Sequence, residues 1–382
     1  MVPMVRRTMR FLAMVPVVAL SFSMLVAQGQ GRRFPPPGGG GRDDFSDKPV
    51  EEVRKNIQVL KGMPASQLNT VMNLISRSLG VECKFCHFAD ESGIHFESDS
   101  LFSKRTAREM IRLVADLNDK YFHGRHEVTC FTCHRNSTQP MAVLPLPQIA
   151  REQHEEHKGE EHAEFNSSDV LAKYERALGS SDAMGKIKTR IIKGTTVNAR
   201  GEANIEIDQK APNKYAVSVV MNNGGISSRG FDGTKGWMKN NRGSRILSES
   251  EQKGMEREVP MFPIEHLRAM TGAMRVLGID TANGKDAFVV VVRPDDHTRE
   301  RYYFDTTTGL LLRRVVMNET VLGFVPEQAD YSDYRDVDGV KIPFLVSTST
   351  IEPEASTIRR ITSVEQNVPV DDEKFSAPTG KE

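Results

Sequence analysis

SLGVECKFCH (Ser78–His87) ends in the word CKFCH, and VTCFTCHRN (Val128–Asn136) states the same word again as CFTCH. In each, two cysteines three positions apart are followed at once by a histidine. That spacing is the signature of covalent c-type haem attachment. The thiols of Cys83 and Cys86, or of Cys130 and Cys133, form thioethers to the two vinyl groups of one porphyrin. His87 or His134 is then held beneath the ring as an axial iron ligand. All four cysteines of the chain lie in these words, so none remains for a disulfide. The words imply two covalently attached haem c groups and one-electron chemistry.

Two other chemistries use CxxC pairs. A redox dithiol belongs in a βαβ setting, whereas Cys83 and Cys130 both follow helical patterns. A four-cysteine zinc cluster leaves the twice-repeated histidine unexplained.

Outward from the words, the apolar spacing is helical. Leu68, Met72, Ile75 and Leu79 predict a helix ended by Gly80. Met110, Val114, Leu117 and Tyr121 predict another, capped by Ser103 and broken by Gly124. A further helix is expected over Glu51–Met63, with Pro64 opening the next one. The plan is helix, turn, haem word, stated twice. Met72 and Met110 lie on the helices that lead into the words, and a thioether suits haem iron as its sixth ligand. Spacing alone equally allows both to be core methionines. His95, His123 and His126 are rival ligands, although His126 is only four residues before Cys130.

The N-terminus carries Arg6, Arg7 and Arg10, then an uncharged run from Phe11 to Ala27. This reads as an export signal over residues 1–29, cut near Ala27 or Gly29. Left uncleaved, the run would attach the chain to a membrane, at the short edge of a span. Residues 30–46 form a Gly/Pro-rich linker and 47–148 the dihaem module. Residues 149–166 are a second linker, acidic, with His154, His157 and His162 expected to face water. The 51 basic and 51 acidic residues balance, so nothing points to nucleic acid. Export places the protein in the periplasm or elsewhere outside the cytoplasm.

Residues 167–382 turn from helix to strand. A helix over Asp169–Leu178, capped by Ser167 or Ser168, precedes runs rich in β-branched and aromatic residues: Val217–Val220, Phe288–Val292, Tyr302–Phe304, Leu310–Val316 and Leu345–Thr350. Asp232-Gly233, Asn283-Gly284, Thr308-Gly309 and Asp338-Gly339 mark tight turns. A helical stretch from Ser248 to Arg268 interrupts the series. The fold class is α+β and multidomain: a small all-α dihaem cytochrome c module, then a curved antiparallel half-barrel with a few helices.

From Leu60 to Pro140 the chain resembles the cytochrome c subunit of photosynthetic reaction centres. SLGVECKFCH, KRTAREM (Lys104–Met110) and VTCFTCHRN carry the resemblance. It implies Met72 as sixth ligand of the first haem and Met110 of the second. The best-known members carry four haems and a cysteine lipid anchor, and the long C-terminal part is foreign to them. FDGTKGW (Phe231–Trp237), YYFDTTTGLLLRR (Tyr302–Arg314) and YSDYRDVDGVKIPF (Tyr331–Phe344) resemble the periplasmic lipoprotein-carrier superfamily. That resemblance implies a curved sheet around a greasy concavity closed by helices. Trp237, the sole tryptophan, would line a site for a lipid or quinone-like ligand, or simply pack in the core or at the rim. Asp333, Arg335, Asp336 and Asp338 read as turn chemistry and surface pairs.

The expected function is an extracytoplasmic dihaem c-type cytochrome passing electrons between redox partners, its β domain serving docking, ligand binding or assembly. A dihaem redox enzyme such as a peroxidase, or a carrier of lipid-like molecules with accessory haems, is the alternative.

Overall fold

The computed structural model describes residues 48–140, 165–241, 243–352 and 355–377. The export signal, the Gly/Pro-rich linker and the charged stretch Arg151–Glu164 lie outside these residues. Among the described residues no helix is long and apolar enough to cross a membrane.

Between Pro49 and Pro64 the chain closes a loop, in place of the helix expected over Glu51–Met63. α1 (Val50–Val53) is a single turn. Asn56 and Leu60 then take φ of 59° and 64°, which no right-handed helix admits. The Glu51 carboxylate accepts the Gly62 N–H, and the Val50 N–H donates to the Met63 carbonyl, tying the loop across its base.

α2 (Leu68–Leu79) ends where the sequence predicts, with Gly80 left-handed at φ 69°. A side chain at Gly80 would strike the Asn136 carbonyl oxygen at 2.6 Å, so the glycine also lets the chain after the second word pass. β1 (Phe88–Asp90) and β2 (Gly93–His95) form a hairpin after the first word, too short for alternation to have announced it. α3 (Phe102–Phe122) has no side-chain cap. Leu101 is its N-cap, and Ser103 instead donates to the Phe85 carbonyl, binding the first turn of α3 to the first word. α3 stops at His123, left-handed at φ 55°, one residue before Gly124. α4 (Cys130–His134) is the second word itself.

α5 (Ser167–Leu178) is capped by Asn166, whose side chain accepts the Ser168 N–H, not by Ser167 or Ser168. α6 (Ser181–Lys186) follows. Six strands run outward: β3 (Thr189–Asn198), β4 (Gly201–Lys210), β5 (Lys214–Met221), β6 (Ile226–Phe231), β7 (Gly236–Asn240) and β8 (Gly243–Ile246). The helical stretch expected over Ser248–Arg268 is two helices, α7 (Glu249–Glu256) and α8 (Pro263–Ala269). Seven strands then return: β9 (Arg275–Ala282), β10 (Lys285–Val292), β11 (Thr298–Asp305), β12 (Leu311–Thr320), β13 (Gly323–Val337), β14 (Val340–Thr350) and β15 (Thr357–Gln366). All pair antiparallel in one open sheet, β8-β7-β6-β5-β4-β3-β15-β14-β13-β12-β11-β10-β9. The first and last strands meet at its centre, Ile358 opposite Val197. The Asn283-Gly284 and Asp338-Gly339 turns have both central residues at positive φ, the geometry that matches strand twist.

Alternation divides the sheet into two faces. Val290, Val292, Tyr302 and Phe304 pack beneath α5 and α8 against Tyr174, Ile264 and Leu267. Ile205, Ile207, Tyr215 and Val217 pack beneath α7 against Met255. Trp237 faces the other way: its indole N–H donates to the Phe375 carbonyl at 2.6 Å, beside Ala216 and Val370. It is packing on the outer face, not the wall of a ligand site.

The turn joining β12 to β13 reaches the haem-word segment. Leu322 is 2% exposed and packs with Val50, Met63, Val71 and Ile111. Gly323, at φ 127°, lies so close to Thr129 that a Cβ would sit 2.8 Å from its methyl. The Asn73 amide donates to Glu352. The two parts therefore share a core. Truncating a buried leucine costs about 2–5 kcal/mol. Leu322→Ala is expected to lower unfolding free energy by that amount in denaturant titration. A change below about 0.5 kcal/mol, the surface range, would show that the turn is not part of the core.

Candidate functional site

Each haem word closes about one helical turn, which brings residues i and i+3 to one side and i+4 beside them. In the first, Cys83–Phe85 is a 3-10 turn and the His87 N–H donates to the Cys83 carbonyl at 2.9 Å. In the second, Thr129 and Thr132 cap each other's backbone N–H and fix the start of α4. The segment before it is held by Asn118, whose amide donates to the Val128 carbonyl at 2.7 Å and accepts the Val128 N–H at 2.9 Å. Sequence reading missed Asn118. A polar residue in the buried register of Ile111 and Val114 was its one signal.

Each histidine has a backbone carbonyl beside its ring. His134 donates its Nδ1–H to the Ser137 carbonyl at 2.9 Å, which leaves Nε2 with the lone pair. His87 is steadied by the edge of Phe96, ring centres 5.0 Å apart, with the Phe96 carbonyl beside the imidazole. Its Nδ1 is buried and makes no hydrogen bond of normal geometry. Burial, then the nearby Lys104, pushes its pKa down and favours the neutral imidazole that binds metal. Lys104 and Arg108 are themselves buried. They grip Asp99 at 3.1 and 3.0 Å, and the Lys104 ammonium also donates to the Phe96 carbonyl at 2.7 Å. The KRTAREM stretch thus anchors the loop beside His87.

Two of the thiols are shifted away from redox activation. Burial raises the pKa of Cys86 and Cys130, the reverse of the depression that activates a dithiol redox centre. Among the described residues no three His, Cys, Asp or Glu side chains gather at one point for a metal.

α3 carries two adjoining faces. Lys104, Arg108, Ile111, Val114 and Asn118 are buried against protein. Phe102, Met110, Leu113 and Tyr121 are exposed, Met110 by 39%. The expected stripe is therefore split: Val114 turns inward while Met110 and Tyr121 stand on the open face. Phe85, Phe88, Phe96 and Phe131 are also exposed near the words. A belt of large apolar side chains around two CxxCH words is the surface a porphyrin covers, so the residues fit haem. Met72 lies half-buried against the Met63, Val71 and Leu322 core.

Two of the rival histidines have other partners. His95 meets Asp90 at 3.0 Å in the hairpin, and hydrogen bonds from Ser92 and then His95 pull the Asp90 pKa down to about 2. His123 terminates α3. His126 contacts Glu319 at 2.7 Å, and His297 contacts the other oxygen of that carboxylate at 2.9 Å.

A profile of the photosynthetic reaction centre cytochrome C subunit family matches residues 30–224, just over half of the chain. The chain belongs to this family of haem c cytochromes. Cytochrome c-554 of Chloroflexus aurantiacus is 39% identical over 89 residues, 22% of this chain and 20% of that protein. The photosynthetic reaction center cytochrome c subunit of Roseobacter denitrificans is 29% identical over 101 residues, 25% of this chain and 27% of that one. The matched stretch thus spans about a fifth to a quarter of these relatives. Among solved structures, a DUF1329 family protein from Desulfovibrio piger aligns over 55% of this chain and 97% of its own, with 11% identity and a TM-score of 0.40. A LolA superfamily protein from Nitrosomonas europaea aligns over the same shares at 9% identity and a TM-score of 0.40. Likenesses this distant carry no functional argument.

The Glu319 bridge gives the cytochrome a pH dependence. The hydrogen bond that His297 donates to Glu319 raises the His297 pKa, so that contribution is whole below the free value of 6.5 and fades as pH rises through the raised one. Burial opposes charge on Glu319, but His297 and then His126 hold its pKa down, so its contribution is lost as pH falls through that lowered value. The bridge is therefore strongest between about pH 4.5 and 6.5. From about pH 6 to 8 the parent's thermal midpoint is expected to fall more than that of His297→Gln. Equal falls would contradict the bridge.

Proposed function

We propose that the chain is an exported dihaem c-type cytochrome that passes electrons between redox proteins. One haem is held by Cys83 and Cys86 with His87 on its iron, the other by Cys130 and Cys133 with His134. Met72 supplies the sixth ligand to the first iron and Met110 to the second. The observation that carries this reading is the repeated turn of Cys, Cys and His, set against the open apolar face of α3. Haem, when bound, supplies a one-electron iron couple.

The chain's own residues do the rest. Ser137 and Phe96 orient the two imidazoles, and Asn118, Lys104 and Arg108 fix the segments that carry them. The β12–β13 turn braces the module through Leu322. Fixed ligands limit the reorganisation that accompanies each change of charge, which suits a carrier rather than an enzyme. The protein works outside the cytoplasm, in the periplasm of its cell. Its β sheet serves as a docking, assembly or ligand-binding platform.

Carbon monoxide tests the ligand set. Reduced parent protein, with both irons six-coordinate, is expected to keep its Soret band unmoved under the gas. Met72→Ala and Met110→Ala should each open one iron and shift about half of the band. A parent that binds carbon monoxide readily, or variants that do not, would overturn the methionine assignments and favour a peroxidase-like site.

A further inference from the structure

The sheet is open, so each of its two outermost strands has one backbone edge that no described strand pairs with. β8 is only four residues long and leads directly to the cap of α7, which makes it a poor template for further pairing. β9 is eight residues long and holds two large apolar side chains in the open, Leu277 at 46% exposure and Ile279 at 54%.

β9 is not a regular strand. Gly278 lies opposite Val289 and Val276 opposite Val290, which leaves Leu277 as an extra residue, a bulge. Residues directly opposite one another on paired strands point to the same face. Before the bulge, Val276 lies opposite Val290 and joins the core that α5 and α8 cover, whereas Arg275 lies opposite Val291 and belongs to the outer face. After it, Ile279 lies opposite Phe288 on the helix-covered side, and Asp280 opposite Ala287 on the outer one. Arg275 and Asp280 are five positions apart, a spacing that puts two residues of an unbroken strand on opposite faces. The extra residue puts them on the same face.

That pattern is self-complementary. When a second copy of β9 is turned about a two-fold axis between Leu277 and Gly278, Arg275 meets Asp280 of the second copy, Val276 meets its Ile279, and Leu277 meets its Gly278. Each pair occurs twice, with opposite charges together on the outer face and aliphatic side chains together on the helix-covered one. A slip of one residue either way sets Val276 against Asp280 or Arg275 against Ile279, side chains of opposite faces, and pairing does not tolerate that. Gly278 also leaves room for the opposing leucine, because a Cβ there would meet nothing within 4 Å. Among the described residues Arg275 makes no ion pair, and the Asp280 carboxylate accepts the Thr281 N–H at 2.7 Å without meeting a cation.

We propose that β9 pairs antiparallel with β9 of a second copy of this chain and joins two sheets into one. An isologous contact of this kind closes on itself and stops at two copies. It deepens the assembly role proposed for the sheet and rests on that reading. Mass reports the contact and the haem spectrum reports the iron ligands, so either can fail without the other.

Sedimentation velocity of the full-length haem-loaded protein is expected to show monomer giving way to dimer between about 1 and 100 µM, with no larger species. Arg275→Asp and Asp280→Arg each set like charges together twice across the axis, and each should raise the dissociation constant at least about tenfold. Both positions are exposed, so the thermal midpoint of the monomer should hold in either variant. The double variant Arg275→Asp/Asp280→Arg should recover the dimer, and so should an equal mixture of the two single variants. A parent that stays monomeric, growth into longer oligomers, single variants that pair as the parent does, or a double variant and mixture that do not recover would overturn the proposal.

Discussion

A single tight turn governs the molecule. Only a chain that closes within about four residues can put two thiols on one edge of a porphyrin and an imidazole beneath its iron. The surrounding structure is organised to deliver that turn twice. α2 must stop at Gly80, and the left-handed glycine also clears the path of Asn136. α3 must stop at His123, and the Asn118 amide then leads the chain into Thr129 and the second word. α3 has one face locked into protein and the adjoining one left apolar and open, and its first turn is tied to the first word.

The sheet is part of this arrangement rather than an appendage. Leu322 fills the core under α2, and Glu319 joins His126 to His297 across the boundary. A module of this size has little core of its own, so a buried leucine supplied from outside is a large share of it. The curl of the sheet that lets β6 approach β12 leaves a small cavity of mixed polar and apolar lining under α7.

Much of this was legible in the sequence, where the signal was local. The CxxCH words, the α2 periodicity with its terminal glycine, and the Asn283-Gly284 and Asp338-Gly339 turns all depend on residues close together in the chain. What was not legible depended on tertiary contacts. The loop over Glu51–Met63 has helical spacing, yet Asn56 and Leu60 are turned left-handed so that Val50 can bond Met63. Ser103 looked like a cap, but the first haem word offered its hydroxyl a carbonyl instead. Leu322 sits in a turn, where no periodicity reports burial, and its partners lie more than two hundred residues away in sequence. β4 carries many polar residues, because its outer face is charged: Glu206 and Asp208 both pair there with Lys374.

The family match spans residues 30–224, and the proposed electron transfer depends on both words carrying their cofactor covalently. The decisive measurement is the intact mass of the purified polypeptide after extraction with acidified acetone, which removes haem that is not thioether-linked. Two haem increments retained on the chain, falling to one in Cys83→Ala/Cys86→Ala, is the predicted result. A colourless chain with no increment, or only one on the parent protein, would contradict it.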